Sequence, residues 1–221
     1  MGVSSVGLLG GTFNPIHNGH VAIARQAREV LALDRVVLIP TGDPPHKPHE
    51  TLATAKDRFE MVRLAIASDP SLSISDVEVR RSGKSYTIDT IRLLQQEYGP
   101  EARLFFLIGL DAFLEFPTWR DPATLLTLCS FVVLSRPGLT FQALSGLPLI
   151  PPIPQASLVE LDTGRSVRLN VPVGTQSLIC LRLPPNNVSA SDIRARIAQG
   201  APTANLLPPV VESYILQHHI Y

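Results

Sequence analysis

Short apolar runs of strand length alternate with apolar positions at helical spacing along most of this chain, the pattern of βαβ units on a parallel sheet. Val3 to Leu9 and Arg35 to Ile39 read as the first two strands. Between them Val21, Ile23, Ala24, Ala27, Val30 and Leu31 recur at the helical period, which predicts a helix from about His17 to Leu33. A second helix is expected over Ala53 to Ser68. The alternating "LSISDVEV", Leu72 to Val79, predicts a strand with one solvated or site-facing side. Thr87 to Tyr98 reads as a third helix, and "RLFFLI" and "SFVVL", at Arg103 to Ile108 and Ser130 to Leu134, as buried strands.

From Gly138 to about Gln176 the periodicity fails. "LPLIPPIPQ" holds four of the twenty prolines, so this stretch is expected to be an irregular insertion. Ser177 to Leu183 returns to strand. "VSASDIRARIAQG" is a helix with serine at its start and Gly200 at its end, and Pro209 to His218 a short last helix. The expected fold class is α/β: a Rossmann-like parallel sheet sandwiched by helices, with a small C-terminal helical part, in a single domain over 1–221.

Composition narrows the functional classes. Lys plus Arg equals Asp plus Glu at 19 each, so no global field recruits nucleic acid or an anionic membrane, and any phosphate-binding charge must be local. Hydrophobic residues make up 45% of the 221, ample for a buried core. Cys129 and Cys180 lie in unrelated segments and read as reduced, mostly buried thiols. With no signal-like N-terminus and no long apolar run, a cytoplasmic location is expected. Homo-oligomerisation is left open. Met1-Gly2 lacks the Ser or Thr of a myristoylation site, because Val6 stands there. Gly83-Lys84-Ser85 lacks the first glycine of a P-loop, because Glu78 stands there.

The chemistry concentrates in "LGGTFNPIHNGHVAIA", Leu9 to Ala24, at the carboxyl end of the first strand, where ligands of open parallel sheets bind. Gly10 and Gly11 remove side chains where the backbone is expected to turn out of the sheet, so amides can approach an anion. The helix that follows aims its free amides and positive dipole end at the same point. His17 and His20, three apart, share one face of the first turn and can donate to phosphate oxygens. A bare Gly-Gly turn is the bland alternative. A metal site is another, and it would need ligands from His46, His49 and Glu50, without any H-E-x-x-H spacing.

Gly11-Thr12-Phe13-Asn14-Pro15 followed by His17-x-x-His20 resembles the signature of the H-x-G-H nucleotidyltransferase superfamily. Its second motif, I-S-S/T-S/T-x-x-R, is matched by "VSASDIR", Val188 to Arg194. By physics alone Ser189 caps a helix. The resemblance implies that Ser189, Ser191 and the first amides hold the ATP phosphates while Arg194 neutralises them. Two departures are Asn14, where many members have Asp, and Ala190, which replaces a hydroxyl residue.

Four further stretches, "PTGDPPHKP", "SYTIDTI", "IGLDAFLEFPTW" and "SRPG", narrow the resemblance to the nicotinate-nucleotide adenylyltransferase family over nearly the full length. That resemblance implies ATP and nicotinate mononucleotide as substrates, magnesium with the ATP, and nicotinate adenine dinucleotide and pyrophosphate as products. Gly10, Gly11, Thr12, Phe13, His17, His20, Ser189, Ser191 and Arg194 would form the ATP site, with His17, His20, Lys47 and Arg194 supplying positive charge to catalysis. Trp119 would stack on the pyridine ring. The Thr87 amide and an amide next to Trp119 would hold the nicotinate carboxylate, and Asp111 the ribose hydroxyls. His46, Lys47 and Arg136 would meet phosphate. Arg120, after Trp119, departs from the pattern at a position where members vary, and would add charge near the nicotinate carboxylate. Residue chemistry agrees in part: a tryptophan in a Pro-rich loop makes a good platform for a planar ring, though it also serves as a loop anchor. A sibling adenylyltransferase using phosphopantetheine, or a non-catalytic nucleotide sensor, is the competing reading.

Overall fold

The computed structural model describes residues 4–44 and 52–221. Seven strands form one sheet: β1 Ser5–Gly11, β2 Arg35–Pro40, β3 Leu72–Ile74, β4 Arg103–Gly109, β5 Ser130–Leu134, β6 Arg168–Val173 and β7 Gln176–Leu181. Their order across the sheet is β3-β2-β1-β4-β5-β7-β6. All neighbours run parallel except β6 and β7. The helices are α1 Asn18–Leu31, α2 Ala55–Ile66, α3 Thr87–Tyr98, α4 Leu110–Leu114, α5 Pro122–Leu128, α6 Gln155–Thr163, α7 Ala190–Ala198 and α8 Pro209–His218.

The continuous apolar strands follow from burial on both faces. In β4, Leu104, Phe106 and Ile108 pack with Ile91 of α3, Phe113 of α4 and Leu158 of α6. The intervening Phe105 and Leu107 join Ala24 of α1, Met61 of α2 and Ile215 of α8 on the opposite face. β5 divides the same way, Phe131 and Val133 against Val132 and Leu134. Each fully buried aliphatic contributes about 1.5–3 kcal/mol, so two such layers pin every central strand in register. Cys129 and Cys180 are buried free thiols, as the sequence indicated, and burial pushes both up to about 12. No helix among the described residues is long and apolar enough to cross a membrane.

The Rossmann-like expectation holds, with four local corrections. β1 runs through both glycines, Gly10 opposite Ile39 and Gly11 opposite Pro40, so the chain leaves the sheet only at Thr12. The strand expected over Leu72 to Val79 stops at Ile74. There the Ser75 hydroxyl accepts from the Val77 amide, and the Arg80 amide bonds back to the Asp76 carbonyl, so local bonds replace the ladder. The stretch expected to be irregular, 138–176, holds α6 and β6, the latter hairpinned onto β7 through Gly174-Thr175. The sheet therefore ends in an antiparallel strand.

Candidate active site

The order of strands reverses between β1 and β4, the place in an open parallel sheet where ligands bind beyond the carboxyl ends of the strands. α1 begins at this point. His17 is its N-cap in extended conformation, and His20 lies one turn on. The two imidazoles stack, centroids 3.6 Å apart and planes 23° apart, and the Phe13 ring stands edge-on to His20 at 5.0 Å. The buried Phe13 ring is thus a wedge that orients His20, which leaves the backbone as what Phe13 can offer a ligand. The His17 amide donates to His20 Nδ1 at 3.3 Å, so the neutral His20 ring carries its proton on Nε2.

His17 is 7% exposed. Burial, reinforced by the nearby Arg136 guanidinium, pulls it from 6.5 down to about 4. It is therefore a neutral imidazole near pH 7, with a hydrogen bond rather than a charge to offer.

Arg194, from the first turns of α7, donates to the Asn14 carbonyl at 2.8 Å and so ties the second motif to the first. Asn14 Oδ1 accepts from the Tyr221 hydroxyl at 2.7 Å and the Ala53 amide at 3.0 Å. As an asparagine, residue 14 offers the side-chain acceptor oxygen that these contacts use. Ser189 is the N-cap of α7 without a side-chain capping bond; its hydroxyl meets that of Ser191 at 2.7 Å.

Beyond β4 and β5, Arg136 Nε and Nη2 bond the two Asp111 oxygens at 3.0 and 3.1 Å. Both side chains are near half exposed, so the pair is worth at most about 1 kcal/mol and opens readily to a ligand. Trp119 is half-buried, edge-on to Phe106 at 6.3 Å and tilted against Phe116 at 5.7 Å, anchored on one side. Its own amide bonds the Phe116 carbonyl at 3.0 Å. Arg120 lies over the Tyr86 ring at 4.8 Å and 3.8 Å from Asp89, beside Thr87, the first residue of α3. Gly10, Gly11 and Thr12 line the end of β1. His46 and Lys47, with His49 and Glu50, lie outside the described residues. Among the described residues no cluster of His, Cys, Asp and Glu is built to cage a metal.

Two residues escaped the sequence reading. Arg58 of α2, 1% exposed, donates to the carbonyls of Thr12, Thr41, Gly42 and Ala53 at 2.6–3.0 Å. Glu78, 8% exposed, accepts from the Thr90 hydroxyl at 2.7 Å, and burial pushes its carboxyl above the usual range. An arginine on an amphipathic helix and an acid in an alternating run look solvated in a sequence. Only the fold buries them.

The Cytidylyltransferase-like family model matches residues 8–196. A protein of Moorella thermoacetica named "Probable nicotinate-nucleotide adenylyltransferase" is 38% identical over 98% of this chain and 91% of its own. One of the same name from Pelobacter propionicus is 41% identical over 98% and 97%. Among solved structures, Plasmodium falciparum nicotinic acid mononucleotide adenylyltransferase complexed with NaAD superposes with TM-score 0.71 at 15% identity, over 99% of this chain and 97% of that one, a likeness of fold.

Proposed function

The chain belongs to the nicotinate-nucleotide adenylyltransferase family, within the cytidylyltransferase-like nucleotidyltransferases, and from that premise we propose that it transfers the adenylyl group of ATP to nicotinate mononucleotide. The observation that carries this reading is the convergence of the stacked histidine pair, the start of α1 and Arg194 at the end of β1.

The acceptor phosphate is anionic at neutral pH and needs no general base. One of its oxygens attacks the α-phosphorus of ATP in line. A P–O bond forms, the bond to the β-phosphate bridging oxygen breaks, and pyrophosphate leaves with that electron pair. No enzyme group is covalently modified. Catalysis then rests on holding two anions together and stabilising the departing charge. His20 Nε2–H and His17 donate hydrogen bonds, and Arg194 and Lys47 bring the charge. Gly10, Gly11, Thr12 and the Phe13 backbone border the phosphate chain, with Ser189, Ser191 and the first amides of α7 beyond it. Magnesium carried on the ATP phosphates would offset part of their charge.

On the acceptor side, Trp119 offers its open face to the pyridine ring. The Thr87 amide is one of the first-turn donors that intrahelical bonding leaves over, so it suits the nicotinate carboxylate. Because the Trp119 and Thr118 amides are spent within their own turn, the Arg120 amide is the neighbour placed to be the second donor. Asp111 meets the ribose hydroxyls, and Arg136, released from it, meets phosphate with His46. Two amide donors match the two oxygens of an acid but oppose the NH2 of an amide.

The test is pyrophosphate release from ATP with nicotinate mononucleotide, nicotinamide mononucleotide or phosphopantetheine as acceptor. Strong release with the first alone is expected. Comparable turnover of the amide would remove the donor-pair argument, and release only with phosphopantetheine would replace the acceptor.

A further inference from the structure

A buried polar cluster lies beneath the acceptor side, away from the reacting atoms. Glu78 is its centre. The Thr90 hydroxyl donates to Glu78 Oε1 at 2.7 Å, and the Ser85 hydroxyl and Gly42 amide favour the charged form of the same carboxyl against its burial. Gly42 is gripped from its other end as well, since its carbonyl accepts from Arg58 Nη2 at 2.9 Å. Next to it, the Asp43 carbonyl accepts the Ser85 amide at 3.0 Å and the Asp43 amide reaches Ser85 Oγ at 3.3 Å. The glycine is obligatory, because a Cβ there would drive into the Glu78 backbone carbonyl.

These bonds join three pieces of chain that no regular ladder connects: the loop after β2, the turn after β3 and the start of α3. Thr90 and Thr87 are three apart on the first turn of α3, so fixing one fixes the rotation and height of the other. Ser85, two residues ahead of Thr87, is held by the Asp43 backbone through both its amide and its hydroxyl. A free helix start would wander by more than the fraction of an ångström that directed binding tolerates.

We propose that Glu78 is a positioning residue for the acceptor, holding the Thr87 amide in place through Thr90, Ser85 and Gly42. It touches no substrate. The inference rests on the adenylyltransferase reading, and in particular on Thr87 meeting the nicotinate carboxylate.

The test measures KM for each substrate, kcat and Tm for Glu78→Gln, Thr90→Val and Thr90→Ser. Glu78→Gln is expected to raise the KM for nicotinate mononucleotide about tenfold while the KM for ATP stays within about twofold. Thr90→Val, which keeps the shape and removes the hydroxyl, should move the acceptor KM the same way by about threefold, and Thr90→Ser should restore it. Both KM values rising together, a lowered Tm with neither KM changed, or Thr90→Ser behaving like Thr90→Val would each overturn the proposal. If Glu78→Gln fails to fold, the two Thr90 variants decide it. A wild-type protein that turns over nicotinate mononucleotide with variants that lack the split sinks this inference alone; an inactive wild type sinks the functional reading with it.

Discussion

His17 and His20 occupy one helical turn yet carry different chemistry. His17 is buried and neutral, its ring backing its neighbour; His20 is partly open and held between that ring and Phe13. Losing a donor preorganised toward the leaving group costs the transition state, whereas losing a stacking surface costs binding. His20→Ala is therefore expected to lower kcat by about 100-fold, near 3 kcal/mol, with substrate KM values changed little. Trp119→Ala is expected to raise the acceptor KM by about 5- to 100-fold, or 1–3 kcal/mol, at a kcat within a few-fold. Steady-state kinetics on the two variants checks the contrast. A His20→Ala enzyme within about tenfold of wild type in kcat would make His20 structural.

Elements show why some of this was legible and some was not. Strands buried on both faces advertise themselves as apolar runs, and α1 and α3 as helical periods, so the succession of strands and helices along the chain could be read directly. β3 could not be bounded, because "SDVEV" alternates whether Glu78 faces solvent or turns inward to Thr90. α6 hid behind prolines, although Leu158 and Leu161 at helical spacing and Gly164 in left-handed conformation as its C-cap were signals available to find it. β6 was signalled by Leu169, Val171 and Val173 ahead of Gly174. The histidines and Arg194 were legible because their motifs are local; Arg58 and Glu78 were not, because Arg58 bonds Thr12, Thr41 and Gly42 and Glu78 bonds Thr90, each 12 or more residues away. At this scale the tightest joint is the loop after β2. Gly42→Ala is expected to destabilise the protein by about 2 kcal/mol, lowering Tm by about 6 °C, since the added carbon meets backbone rather than a movable side chain. Denaturant unfolding measures it, and an unchanged midpoint would show that the joint is looser than described.

The whole molecule inherits a pH dependence from its site. The folded chain keeps His17 neutral down to about 4, whereas the unfolded chain protonates it near 6.5, so the unfolded state binds the extra proton in between. Stability from this residue is complete above 6.5 and lost as pH falls to about 4, amounting to about 3 kcal/mol. Compared with His17→Asn by chemical denaturation from pH 7 to 4, the wild type should lose more stability by that amount; equal losses would mean that His17 is charged in the folded protein. The antiparallel end of the sheet carries a separate consequence. An open sheet has two rims where unpaired backbone groups invite a strand from another molecule. One rim here is β3, three residues long, and the other is β6, which exposes Arg168 and Pro172, the latter with no amide to give. The hairpin that broke the parallel pattern thus caps the sheet, and concentrated solutions of the folded protein have little rim on which to polymerise.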